Sequence, residues 1–308
     1  MSKKAYLFCG QGSQYNGMGT ELYDSFAPAR HVYDTACEVL GFDLKELSFE
    51  DSGEKINQTR YSQPLIFTHS LAAVYSLEEA CGRPDAVAGH SLGEYAALTY
   101  AGAFNLETGL KIIAARSAAM QKAAEQHPGA MFAIIGSDND TIARVCEETS
   151  GFVMPVNYNT PAQTVIAGTP EAAQAAADTL SGMGAKAVKL AVNAAFHSKL
   201  MEGAAEEFYE QIKNFPFHAP NIPVFSNVTG TALPKDTDLA LYLKKHLVSP
   251  VQFVTEMQNM TDAGIDTFVE FGPGKTLSSF VRKFSKELAA CNVDTLKTYE
   301  KAVSILNK

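Results

Sequence analysis

The chain has 308 residues, about twice a typical single domain, and its 46% hydrophobic and 19% charged residues describe a globular protein with enough apolar surface for a core. Its 25 basic and 34 acidic residues give a net charge of −9 with no Lys or Arg run longer than two, which excludes a protein built to neutralise nucleic-acid phosphates. The five apolar residues Ala5 to Cys9 are too few for a signal-peptide core, and nothing later approaches the roughly 20 apolar residues of a membrane span.

Cysteines at 9, 37, 81, 146 and 291 include no CxxC pair, and the seven histidines form neither HxxxH nor HExxH. Reduced thiols, a cytoplasmic location and no metal site are the expectation.

In chain order, Lys4 to Phe8 reads as a buried strand running into the loop Gly10-Gln11-Gly12-Ser13-Gln14. Ala86 to Ala88 reads as a second buried strand, ending at Gly89-His90-Ser91-Leu92-Gly93-Glu94 with a helix from Tyr95 to Ala103 behind it. Asn105 is the expected N-cap of a helix from Leu106 to Gln126, stopped by His127-Pro128-Gly129. Strands at 131–135, 153–157, 164–167 and 187–192 then alternate with helices at 140–148 and 171–183. This β-α-β-β-α-β order is ferredoxin-like. A helix over 199–215, strands at 223–226 and 267–271, and a long helix over 277–290 return the chain to α/β alternation. The predicted fold class is therefore α/β: a hydrolase-like parent domain with a parallel sheet (1–127 and 196–308), interrupted by a ferredoxin-like insert (128–195).

Gly89-His90-Ser91-Leu92-Gly93 fits G-x-S-x-G, whose small residues allow the sharp strand-to-helix turn that exposes a serine hydroxyl. The helix start behind Ser91 supplies amide donors and a positive dipole end for an oxyanion. A serine nucleophile needs a base. Among the histidines His197 is the candidate, because Ala194-Ala195-Phe196-His197-Ser198 lies where the chain leaves the insert. Taken alone, His197 reads by default as a histidine hydrogen-bonded for structure near a helix N-terminus. Arg116 falls on the apolar face of its helix with Ile112, Ile113, Ala119 and Met120, where a charge is costly unless paired. Its planar fork suits a substrate carboxylate; the other readings are an internal ion pair or a side chain that snorkels out past the alanines.

Two glycine motifs fail. Tyr15 stands where GxGxxG needs a small residue after Gly10-Gln11-Gly12, and Val269 stands where GxxxxGK[ST] needs glycine before Gly274-Lys275-Thr276.

Phe8-Cys9-Gly10-Gln11-Gly12-Ser13-Gln14, Gly89-His90-Ser91-Leu92-Gly93-Glu94-Tyr95, Arg116, Phe196-His197-Ser198, Pro250-Val251-Gln252 and Gly272-Pro273-Gly274-Lys275 occur in one order in one chain. Together they resemble the malonyl-coenzyme A:acyl carrier protein transacylase family over residues 4 to 285. The resemblance implies transfer of a malonyl group from malonyl-coenzyme A to the phosphopantetheine thiol of acyl carrier protein, by a ping-pong seryl ester, in fatty acid synthesis. It implies Ser91 as nucleophile, His197 as base, the amides of Gln11 and Leu92 as oxyanion hole, Arg116 on the malonyl carboxylate, and Gln252 as source of the carbonyl that orients His197. Met120, Phe196 and Asn159 are its pocket candidates. It further implies a monomer acting on a coenzyme A thioester without bound cofactor, nucleic acid or membrane. The alternatives are a malonyltransferase serving a polyketide assembly line in trans, a serine hydrolase, and a catalytically silent carrier-binding subunit. Against the hydrolase, 111 residues follow His197 and the insert occupies the usual place of the acid.

Overall fold

In the computed structural model, which describes residues 2–50 and 53–307, eight strands fall into two sheets. They are β1 (Lys3–Phe8), β2 (Ala86–Gly89), β3 (Ala130–Ile135), β4 (Val153–Thr160), β5 (Gln163–Gly168), β6 (Lys186–Lys189), β7 (Ile265–Phe271) and β8 (Ala289–Val293).

The first sheet has the order β2-β1-β7-β8, and every pairing in it is parallel. Parallel strands covered on both faces read as unbroken apolar runs, and four consecutive residues of β1, Ala5 to Phe8, are fully buried. Because strand side chains alternate, Tyr6 and Phe8 enter one core and Ala5 and Leu7 the other. On the first face the helices Ala27–Leu40, Thr59–Cys81 and Leu106–Gln126 pack on one another. On the second, Phe253, Met257, Phe280 and Val281 cover the sheet. Asn105 caps its helix as expected, its side chain accepting the N–H of Thr108 at 2.8 Å.

The second sheet has the order β4-β5-β3-β6 with antiparallel pairings, the arrangement that the ferredoxin-like reading expects. Ala130, Phe132 and Ile134 of β3 point into a small core with Ile142, Val145 and Leu180 from the helices Asn139–Glu148 and Pro170–Gly182. Met131 and Ala133, the alternate residues, face the large core. The small sheet thus leans one side against the body of the protein.

Three expectations change. The segment 223–226 makes only single bridges, Val87 with Val224 and Phe225 with Ala232, and Pro223 has no N–H for a longer ladder. The helix expected over 277–290 ends at Phe284, and Ala289–Val293 instead forms β8 on the edge of the parallel sheet. A further helix, Leu296–Leu306, follows. The strand expected over 187–192 spans Lys186–Lys189.

Candidate active site

The carboxyl ends of β1, β2 and β7 meet at one edge of the parallel sheet, where open α/β folds hold their ligands. β2 ends at Gly89, and Leu92 begins the helix Gly93–Tyr100. Between them Ser91 adopts φ 55°, a left-handed conformation that costs a side-chain-bearing residue about 1–3 kcal/mol. The flanking glycines make the turn possible: a Cβ on Gly93 would lie 2.0 Å from the Phe8 carbonyl oxygen, and one on Gly89 2.0 Å from the Gly93 carbonyl carbon. Of the described non-glycine residues, only His197 shares a positive φ, at 61°. Strain at just these two positions follows the tendency of such backbone to sit at functional sites.

Ser91 Oγ lies 2.7 Å from His197 Nε2. On the other side of the ring, Nδ1 faces the carbonyl oxygens of Ser249 at 3.1 Å and His246 at 3.3 Å. Carbonyls only accept, so Nδ1 carries the proton and Nε2 is left to accept the serine hydroxyl. Burial, reinforced by the neighbouring His246 and the Arg116 charge, holds the His197 pKa well below the ordinary histidine value. The ring is therefore neutral near pH 7, as a general base must be.

Arg116 Nη2 donates to the same Ser91 Oγ at 3.1 Å, and Nη1 donates to Gln63 Oε1 at 2.6 Å. Its guanidinium also lies 4.9 Å from the Tyr95 ring centroid. Arg116 is 1% exposed, and neither of its hydrogen-bond partners is a carboxylate. Nε has no partner among the described residues. Arg116 forms no internal ion pair among the described residues and does not snorkel to solvent, so a buried cation is aimed at the serine.

A crevice of about 540 Å³ opens here, lined by Gln11, Ser91, Arg116, Met120, Phe196 and His197 from the large body and by Met131, Asn157 and Leu190 from the small sheet side. Leu92 is buried beneath the turn. Among the described residues the backbone amides of Gln11 and Leu92 donate to no backbone acceptor.

Two sequence-derived assignments change. The carbonyl of Gln252, which accepts the Glu256 N–H at 2.9 Å at the start of a helix, is not among those that meet His197 Nδ1. That contact comes from Ser249, just before Pro250, with His246 beside it. Asn159 lies outside the crevice. Its Oδ1 pairs with His90 Nε2 at 2.7 Å, and it lines an adjoining cavity of about 350 Å³, while Asn157 lines both.

The phosphate-loop-like Gly274-Lys275-Thr276 is already occupied from within. The Glu270 carboxylate accepts the N–H groups of Leu277 at 2.9 Å and Ser278 at 2.7 Å, filling the helix N-terminus where a phosphate would sit.

Sequence reasoning missed Gln63 and Asn227. Gln63 is fully buried on the helix Thr59–Cys81 and steadies Arg116. Asn227 accepts the Ser91 N–H at 2.7 Å. An unpaired polar residue in an apolar helix could have flagged Gln63, but nothing local distinguishes Asn227 from a turn asparagine.

A strained serine at a parallel-strand end, a neutral imidazole and a buried guanidinium define a site for acyl transfer, and residues 5–302 match the acyl transferase domain family. The chain is 37% identical over 312 residues to the malonyl CoA-acyl carrier protein transacylase of Bacillus subtilis (strain 168), covering all of this chain and 98% of that one. The crystal structure of malonyl CoA-acyl carrier protein transacylase from Clostridium perfringens superposes with a TM-score of 0.96 at 37% identity, over 99% of this chain and 98% of that chain. A malonyl-transacylase in complex with its type II PKS acyl-carrier protein superposes at 0.94, with 34% identity over 99% of this chain and 100% of that one. The chain belongs to the malonyl CoA-acyl carrier protein transacylase family.

Proposed function

We propose that this protein transfers a malonyl group from malonyl-coenzyme A to the phosphopantetheine thiol of an acyl carrier protein through an ester on Ser91, supplying fatty acid synthesis. The observation that carries this reading is the convergence of His197 Nε2 and Arg116 Nη2 on one hydroxyl, at 2.7 and 3.1 Å.

In the first half-reaction His197 Nε2 takes the Ser91 proton as Oγ attacks the thioester carbonyl. The amides of Gln11 and Leu92 stabilise the oxyanion. As the carbonyl re-forms, the C–S bond breaks and the imidazolium returns its proton to the coenzyme A sulfur. In the second half, His197 deprotonates the carrier thiol, which attacks the ester, and the proton returns to Ser91. Arg116 holds the malonyl carboxylate throughout, and a substrate without that group forfeits the pairing. Met120 and Phe196 form the apolar wall of the acyl pocket, while Asn159 acts only from the adjoining cavity. No step uses a metal or a bound cofactor.

We assign residues 128–195 to an inserted wall domain and the remainder to the catalytic body, acting as a cytoplasmic monomer. Among the described residues no helix is long and apolar enough to cross a membrane.

Brief exposure to malonyl-coenzyme A followed by mass spectrometry tests the reading. A single malonyl adduct on the wild type, absent from Ser91→Ala, is expected; an undiminished adduct in Ser91→Ala places the nucleophile elsewhere. Multiple-turnover release of free malonate without any carrier protein would mean a hydrolase. The neighbour bound to a type II PKS carrier favours one variant of the reading, delivery to a polyketide carrier. Comparing transfer to fatty acid and polyketide carrier proteins separates the two pathways.

A further inference from the structure

Behind Ser91 lies a buried polar cluster that the proposed chemistry does not use. Glu94 and Glu256 are both fully buried. Asn227, 1% exposed, sits between them and uses every polar group it has. Its Oδ1 accepts the Ser91 N–H at 2.7 Å and faces His246 Nε2 at 3.3 Å. Its Nδ2 donates to the Gly89 carbonyl at 2.5 Å and to Glu256 Oε1 at 2.8 Å. Its own N–H donates to Glu94 Oε2 at 2.8 Å, and its carbonyl accepts the Gln252 N–H at 2.8 Å.

Those partners belong to two sides of the site. Gly89 and Ser91 form the nucleophile turn. His246 and Gln252 bracket the segment whose Ser249 and His246 carbonyls hold the His197 ring. We infer that Asn227 is a positioning residue that clamps Ser91 in its left-handed conformation and ties it to the segment that orients His197. At φ 55° the Ser91 N–H finds no acceptor within its own turn, and the Asn227 carboxamide supplies one, stabilising the bent conformation over a relaxed one. With its N–H engaged this way Ser91 offers no amide to the substrate, and the oxyanion is left to Gln11 and Leu92. The inference rests on Ser91 as nucleophile and His197 as base.

The test compares Asn227→Ala, Asn227→Asp and Ser91→Ala in the full chain by rapid-quench malonylation, steady-state kinetics and thermal melting. Asn227→Ala should lower the acylation rate about 10²-fold with the KM for malonyl-coenzyme A nearly unchanged, since misplacing a reacting group by about an ångström has that effect. Asn227→Asp adds the sharper readout. Protonated, the aspartic acid keeps an acceptor for the Ser91 N–H and a donor for Gly89 or Glu256. Ionised, it confronts Glu94 and Glu256, with Tyr242, His246 and the Ser226 hydroxyl as further polar groups around it. Its acylation rate should therefore approach the wild-type rate near pH 6 and fall as pH rises, while the wild-type rate stays level. Should Asn227→Ala fail to fold, the Asp profile decides alone. Wild-type acylation in Asn227→Ala with only a lowered melting temperature, or a flat profile in Asn227→Asp, overturns the positioning role while leaving Ser91 in place. Persistent labelling of Ser91→Ala overturns the nucleophile assignment and the inference with it.

Discussion

The parallel sheet and the antiparallel sheet bury different things. Around the carboxyl ends of β1 and β2 the interior holds Glu94, Arg116, His197, Asn227, His246 and Glu256, all at most 3% exposed. Inside the small domain the core gathers Ala130, Phe132, Ile134, Ile142, Val145, Cys146, Val153, Ile166 and Leu180, where burial pushes the Cys146 thiol up to about 12. Burying a polar group is costly unless it is hydrogen-bonded, so the first region depends largely on its polar network and the second largely on packing. Burial pushes the Glu256 carboxyl well above its ordinary range, and the nearby Glu94 adds to that. The network is arranged for geometry at some cost in stability. Substitutions in the first region should therefore change rates more than stability, and those in the second the reverse.

The largest effect belongs to His197→Ala. Removing the base from a unit that acts together should slow acylation by several orders of magnitude, by analogy with other serine enzymes. Acylation within about tenfold of wild type, followed by rapid quench, would remove the base assignment.

Arg116→Ala comes next and separates binding from chemistry. The guanidinium touches both Ser91 and Gln63, so some loss on every substrate is expected. Malonyl transfer should fall much further than acetyl transfer, because only the malonyl donor carries a carboxylate, and losing a charge-assisted bidentate contact forfeits about 2–3 kcal/mol or more. Measuring kcat/KM with both donors decides the point: equal losses would make the arginine a structural residue.

In the small domain, Ile134→Ala should lower unfolding stability by about 2–5 kcal/mol through lost burial and a residual cavity. Ile134 is fully buried in the small core and does not line the crevice. Urea titration should register the loss while kcat for malonyl transfer in buffer stays within about twofold. A large fall in kcat would mean that the antiparallel sheet shapes the transition state and not merely the wall.

What could be read from the sequence follows the same division. The turn around Ser91 was legible because its signal is local: a strand, two glycines and a helix start within a few residues. Arg116 was legible because a charge on an apolar face is anomalous in any fold. The carbonyl partner of His197 was not, since backbone carbonyls look alike in every sequence and the selection of Ser249 over Gln252 depends on where the helix Phe253–Asp262 draws its own first bonds. Asn227 was hidden for a related reason, lying 136 residues from the serine whose amide it accepts. The strand β8 was absorbed into the preceding helix because a short apolar run such as Ala289-Ala290-Cys291 has no periodicity to tell strand from helix, and only pairing with β7 decides.

The smallest expected effect is the pH dependence of the wild-type acylation rate. His197 works as a base only when neutral, and burial lowers its pKa well below the ordinary 6.5. An exposed histidine would lose half its activity at about 6.5, whereas here the rate should be level from about pH 8 down to about pH 6 and fall only under more acidic conditions. The same shift links to stability with a definite sign. The folded chain takes up the His197 proton less readily than the unfolded chain, so this contribution is fully present above pH 6.5 and is lost as pH falls through the folded-state value. Single-turnover malonylation across that range, with buffer ionic strength held constant, checks the first half. A midpoint near 6.5 would mean that the ring is open to water when the substrate arrives.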